Sequence, residues 1–194
     1  MPKPDWPSPE SLRSAAWMLD CEPRAIDAVS RVEAGTSGAF LDSGEPVVLF
    51  ERHIFHRLTG GRFDAKYPEL SFPTPGGYGK VSEQHGRLEH AADLCVAAGL
   101  GRDLALKSAS WGLYQCMGYN HAAAGFQTLQ GFINAMYRSV DDHLRAFVCF
   151  IRSNERMHEA LRAKDWEAFK RLYNGPARNG YAAMIAAAYD GSKV

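Results

Sequence analysis

Ile26-Asp27-Ala28-Val29-Ser30-Arg31-Val32-Glu33-Ala34-Gly35-Thr36-Ser37-Gly38 reads as an amphipathic helix that ends in a carboxylate and runs at once into a loop of small residues. Ile26, Val29 and Val32 recur at helical spacing, which places Glu33 in the last turn of a helix with one buried face. A carboxylate is an unusual choice there, because the negative end of the helix dipole repels it. Desolvation in a cleft would act in the same direction and favour the protonated form. A carboxylic acid kept neutral near physiological pH is what a general acid requires. The stretch alone fits a solvated glutamate at a frayed helix end as well.

Working outward, length and composition bound the problem. A chain of 194 residues, 46% of them hydrophobic, can build a substantial core and is expected to form one domain over 1–194. Lysine plus arginine (22) equals aspartate plus glutamate (22), so no bulk positive charge points to nucleic acid or to an anionic membrane. Cys21, Cys95, Cys116 and Cys149 are widely spaced and form no CxxC pair, which argues against structural zinc and a disulfide framework. Three of them sit among apolar neighbours, as small hydrophobes do. The histidines lack zinc-ligand spacing, so no metal or other cofactor is expected, and His53 with His56 is read as surface or packing. The segment Met1-Pro2-Lys3-Pro4-Asp5-Trp6-Pro7 carries no apolar run of signal-peptide length, and no stretch is long enough to span a bilayer. The expected product is a soluble cytoplasmic protein without stable membrane insertion.

The pattern predicts an α+β, predominantly helical protein with one β-like interruption. Ser8 caps a helix with Pro9 in its first position, running to about Asp20, and Pro23 starts the helix that carries Glu33. Between Ala39 and Phe50 a turn at Leu41-Asp42-Ser43-Gly44-Glu45-Pro46 and the run Val47-Val48-Leu49-Phe50 predict a small hairpin or three-stranded flap. Arg52 to Leu58 reads as a short helix stopped by Gly60-Gly61, and residues 61–81 as the longest irregular segment. Helices are predicted from Ser82, as the cap, to about Ala98 and from Gly101 to Ala109. Val140, Leu144, Phe147, Val148 and Ile151 form a clean helical stripe behind a Ser139 cap, expected at the centre of the larger lobe. Asp165 caps a helix through Tyr173, Asn174-Gly175-Pro176 breaks it, and an alanine-rich helix spans roughly 179–189.

Three further segments bear on function. Ser108-Ala109-Ser110-Trp111-Gly112-Leu113-Tyr114-Gln115-Cys116-Met117-Gly118-Tyr119-Asn120 combines small residues, an aromatic, a glycine and an amide, as suits a groove wall against which a chain lies; an ordinary helix-loop fits too. Arg171-Leu172-Tyr173-Asn174-Gly175-Pro176 offers a tyrosine hydroxyl and an asparagine amide at a helix end, or a simple Asn-Gly stop. Leu49-Phe50-Glu51-Arg52-His53 places a carboxylate at a strand end, where it also complements the dipole of the following helix.

Taken together, these segments resemble the lysozyme superfamily, in particular goose-type lysozymes and soluble lytic transglycosylases. More narrowly, RVEAGTSGAF, GEPVVLFERHIFHRLTGGRF, YPELS, SASWGLYQCMGYNH and LYNGP resemble the phage-type N-acetylmuramidase family of endolysins from Gram-negative phages and prophages, over about residues 22–189. The resemblance implies a lysozyme-like fold, with a small β-hairpin or flap beside a helical lobe. It also implies hydrolysis of the β-1,4 bond between N-acetylmuramic acid and N-acetylglucosamine in bacterial lysis. Glu33 matches the catalytic glutamate. Glu51 matches a second acidic position that steadies an oxocarbenium ion or positions water. Ser110, Gln115, Tyr119 and Asn120 fall in the segment that lines the sugar groove. Tyr173 corresponds to the tyrosine that orients the glutamate, and Asn174 to the groove position beside it. Ala34 stands where relatives usually carry serine, which removes one hydroxyl contact.

The implied partner is the peptidoglycan glycan strand, bound by a monomer that reaches the wall from the cytoplasm after the membrane is permeabilised. The match consumes nearly the whole chain, leaving no room for a wall-binding domain of ordinary size. An inverting path through Glu51 would need the carboxyls roughly 6.5–9.5 Å apart, a retaining one about 5 Å. Phe72 and Tyr78 are candidates for stacking on sugar rings or for core packing. Two other readings remain open at this stage: a lytic transglycosylase that needs no second carboxylate, and a sugar-binding module that has lost the chemistry.

Overall fold

The computed structural model describes residues 3–34, 38–173 and 180–194. Helix α1 (Pro9–Met18) starts as the sequence predicts, with Ser8 accepting the Ser11 amide at 3.0 Å. Helix α2 (Pro23–Ala34) buries Ile26, Val29 and Val32 and carries Glu33 in its last turn. Strand β1 (Val48–Phe50) leads into α3 (Arg52–Thr59), which Gly60 ends in the left-handed conformation (φ 64°) that favours glycine. After a long irregular segment come α4 (Gln84–Ala97) and the short α5 (Asp103–Lys107), then β2 (Ala109–Trp111) and β3 (Cys116–Met117). Five helices complete the described chain: α6 (Leu129–Arg138), α7 (Val140–Arg152), α8 (Glu155–Ala163), α9 (Trp166–Tyr173) and α10 (Tyr181–Gly191). The fold is predominantly helical with a small antiparallel sheet, as expected.

Two apolar clusters meet at α7. One gathers α1, α2, α8, α9 and α10 around Leu144, Phe147, Val148 and Ile151, the stripe that the sequence places at the centre. The other packs β1, α3, α4, α5 and α6 around Phe50, Phe55, Trp111 and Phe132, and takes Ala146 from the opposite side of α7. Each large side chain buried in this way contributes roughly 1.5–3 kcal/mol. Helices α2 and α10 run antiparallel. Tyr181 at the start of α10 meets Glu33 at the end of α2, while Tyr189 and Ser192 bond Glu22 and Asp27 near its beginning.

The β structure departs from the local flap predicted. Within 39–50 the two arms of the turn meet at the Phe40–Pro46 bridge, through Val47 N–H on Ala39 O (3.0 Å) and Leu41 N–H on Glu45 O (2.8 Å). The three-stranded sheet instead pairs β1 with β2 and β2 with β3, in the registers Leu49–Ser110 and Ser110–Met117. Helix α5 therefore stops at Lys107 rather than Ala109. The Ser108 hydroxyl donates to Leu104 O (2.7 Å) and the Trp111 indole to Leu106 O (3.2 Å), occupying carbonyls of the last turn as the chain extends. Ser82 is not a cap but lies inside a 3-10 turn, Val81–Glu83, that precedes α4. The final helix begins at Tyr181 and continues to Gly191, and Asn174-Gly175-Pro176 lies outside the described residues. Helices α6 and α8 were not anticipated, although Thr128 and Asn154 cap them through Gly131 N–H (3.0 Å) and Met157 N–H (3.2 Å).

Gly118 closes the β2–β3 region against α5. A Cβ there would stand 2.2 Å from the Leu106 carbonyl oxygen, a backbone atom that cannot swing aside. Gly118→Ala is expected to lower stability by about 1–3 kcal/mol, read from the denaturant midpoint.

Candidate active site

Glu33 is only 8% exposed although it stands at the carboxyl end of α2. One of its oxygens, Oε1, accepts the hydroxyl of Tyr181, which α10 delivers from the far end of the chain. Tyr181, Ile185 and Tyr189 occupy successive turns of one helix face, all buried against α2. Tyr173, which the resemblance made the orienting tyrosine, is directed elsewhere. Its hydroxyl donates to the Tyr114 carbonyl at 2.7 Å, and its ring stacks on Phe169. It remains close enough that burial first, and then the negative charge of Glu33, push its hydroxyl well above the ordinary tyrosine range. The hydroxyl that meets the glutamate is thus one helix further on, because α9 aims Tyr173 at the backbone of the 109–117 hairpin.

Tyr114 ties that hairpin to α2. Ser30 spends its hydrogen on Ile26 O (2.7 Å), so the Tyr114 hydroxyl donates to Ser30 Oγ (2.7 Å). The Tyr114 ring stacks on Phe147 with centroids 4.4 Å apart. Beside it, His143 Nε2 lies 2.7 Å from Met136 O and must donate there, which leaves Nδ1 to accept Leu113 N–H (3.1 Å). A Cβ on Gly112, whose φ is +69°, would overlap this imidazole at 2.6 Å. The hairpin is therefore bolted to α2, α7 and α9.

Ser110 and Gln115, both assigned to the groove wall, are brought together. Ser110 Oγ donates to Gln115 Oε1 (2.7 Å), and the Gln115 amide donates to Gly112 O (2.8 Å), closing the turn between β2 and β3. Ser110 is buried and Gln115 half-buried, so of the two the amide is the side chain offered to a ligand. Tyr119 is 40% exposed, with the Arg57 guanidinium 5.7 Å from its ring centroid, and Asn120 is half-buried at the end of the same 3-10 turn. Asn174 lies outside the described residues. Burial pushes the Cys116 thiol up to about 12, so it is no nucleophile despite its place beside Gln115.

Glu51 sits between β1 and α3, its amide on Ser108 O at 2.9 Å. It makes no side-chain cap to α3. Burial raises its carboxyl above the ordinary range, and the Tyr78 hydroxyl partly opposes that. His53, assigned to surface or packing in the sequence, places Nδ1 3.1 Å from Glu51 Oε2. His56 does take a packing role, on Asp64 at 2.7 Å. Tyr78 is turned toward Glu51, whereas Phe72 is partly exposed under the Arg52 guanidinium, 4.7 Å from its ring centroid. The hairpin thus joins the two carboxylate-bearing elements, β1 at Ser110 and α2 at Tyr114.

A family model described as N-acetylmuramidase matches residues 22–193. The chain belongs to the N-acetylmuramidase family. As a muramidase it is a glycoside hydrolase that degrades peptidoglycan. Among solved structures it is similar to the crystal structure of Burkholderia AP3 phage endolysin, with a TM-score of 0.85 and 36% identity, over 97% of this chain and 71% of that one. A comparison with curated proteins finds no match. Among the described residues, no helix is long and apolar enough to cross a membrane.

Two outcomes follow from the geometry around the muramidase carboxyls. Tyr181→Phe is expected to lower kcat about tenfold with KM nearly unchanged, and to lower stability by about 1–3 kcal/mol through the hydrogen bond lost at a buried carboxyl. Glu51→Gln is expected to raise the melting temperature at pH 7 but not at pH 4. A carboxyl whose folded pKa is raised costs nothing while protonated in both states, and destabilises the fold as pH rises through the raised value. Thermal melts of both proteins across that range read the difference.

Proposed function

We propose that this muramidase cleaves the β-1,4 bond between N-acetylmuramic acid and N-acetylglucosamine with Glu33 as its general acid. The observation that carries the reading is the buried Glu33 carboxyl at the end of α2, held by the Tyr181 hydroxyl. A carboxyl so placed can donate its proton to the leaving glycosidic oxygen as positive charge grows at the anomeric carbon. Tyr181 fixes one oxygen and so aims the other. The glycan strand lies along the 109–117 hairpin, with the Gln115 amide, Tyr119 and Asn120 as groove contacts. Ser110 and Tyr173 act indirectly, by holding Gln115 and Tyr114 in place, and Asn174 keeps its assignment to the adjoining groove position. Glu51 serves as the second carboxylate, against the oxocarbenium ion or the incoming water.

The protein works as a monomeric endolysin of a phage or prophage, meeting peptidoglycan from the cytoplasm once the membrane has been permeabilised. Its likeness to a phage endolysin over 97% of the chain supports this role. Glu33→Gln is expected to abolish clearing of purified peptidoglycan by at least a thousandfold while circular dichroism and the melting temperature stay native. Mass spectrometry of the wild-type digest should show reducing muropeptides. Products one water lighter would mark a transglycosylase instead.

A further inference from the structure

Three consecutive side chains where β1 passes into α3 each hold a buried polar atom without a hydrogen-bond partner among the described residues: Glu51 Oε2, Arg52 Nε and His53 Nδ1. Such atoms are costly to leave unpaired, and a run of them marks a place where the chain has kept polarity for a purpose other than stability. Two of the three face each other. His53 Nδ1 and Glu51 Oε2 are 3.1 Å apart, within reach of a hydrogen bond but out of line for one. Catalytic hydrogen bonds are often misaligned in this way until substrate is seated. Only a proton between the two satisfies both atoms.

We propose that His53 is the positioning residue for Glu51: its Nδ1–H holds the buried Oε2, so that Oε1 faces the substrate and takes the proton of the attacking water. The inference rests on the hydrolytic reading above. As the water oxygen bonds to the anomeric carbon and the glycosidic C–O bond breaks, Glu33 gives its proton to the leaving oxygen and Glu51 receives one from the water. Each carboxyl changes protonation state once, and no further reactant is needed.

The surroundings fit this division of labour. Within α3, Arg52 and Arg57 face His53; together with burial, the larger influence, they lower its pKa and keep the ring neutral, with a single N–H. From the 72–80 segment, Tyr78 approaches Glu51 and opposes the effect of burial on the carboxyl. On the far side, Tyr119 meets Arg57, and Glu51 N–H is committed to Ser108 O. The amino end of α3 adds its positive dipole, which favours an ionised carboxylate that does no capping of its own.

The test is the pH profile of kcat and KM on purified peptidoglycan for wild type, His53→Ala, His53→Asn, Glu51→Gln and Glu33→Gln. Loss of the donor should move the acid limb of kcat in His53→Ala upward by about one pH unit, cutting turnover about tenfold on that limb with KM unchanged. His53→Asn, whose amide nitrogen can stand where Nδ1 stood, should restore most of it. An unmoved acid limb in His53→Ala, or a loss confined to KM, overturns the proposal. Full turnover in Glu51→Gln also overturns it but leaves the Glu33 reading intact. Full turnover in Glu33→Gln would sink that reading itself. Should His53→Ala fail to fold, the His53→Asn and Glu51→Gln profiles still decide between these outcomes.

Discussion

The Tyr181 hydroxyl on the Glu33 carboxyl is the contact around which the site is organised. A carboxylate at the last turn of a helix meets the negative end of the dipole and, once buried, loses water as well. The tyrosine supplies a donor that fixes the orientation of the carboxyl. For that donor to arrive, α10 must lie antiparallel along α2. The pairing is secured at its other end by Tyr189 on Glu22 and Ser192 on Asp27. Lys164, Tyr189 and Arg24 together hold the Glu22 carboxyl down at about 2.

The second carboxylate is positioned by different means. Glu51 directly follows β1, whose Val48 and Phe50 lie in the second apolar cluster, and β1 is joined to the α2 side through the 109–117 hairpin. Ser110 and Gln115 shape that hairpin from within, while Ser30, Tyr173 and His143 anchor it from without. A rigid scaffold of this kind keeps catalytic groups in fixed relation without relying on the long irregular segment at 61–81.

Much of this was legible in the sequence, unevenly. Capping residues and apolar periodicity located α1, α2, α3, α7 and α9 because those signals are local. The strand at Val48–Phe50 was legible, but its partner at Ala109–Trp111 was not, a pairing that no local pattern encodes. Ordered motifs singled out Glu33, Glu51, Ser110 and Gln115 as candidates, whereas the contact of Tyr181 with Glu33 was not foreseen in a helix that read as featureless alanine. Its signal was there, in two tyrosines at 181 and 189 on one face of an otherwise small-residue helix. The approach of His53 to Glu51 was not foreseen, because a histidine near a carboxylate in sequence is usually surface.

The Glu33–Tyr181 bond joins positions 148 residues apart. A ribosome that has released the first of them has not yet made the second, so the partly synthesised chain holds its acid without its guide. Contacts of such long range are costly in loop entropy and form after local ones. The contact therefore arrives with the docking of the last helix, near the end of folding. A chain shortened or frayed beyond α9 keeps most of its apolar mass and lacks the hydroxyl that bonds Glu33.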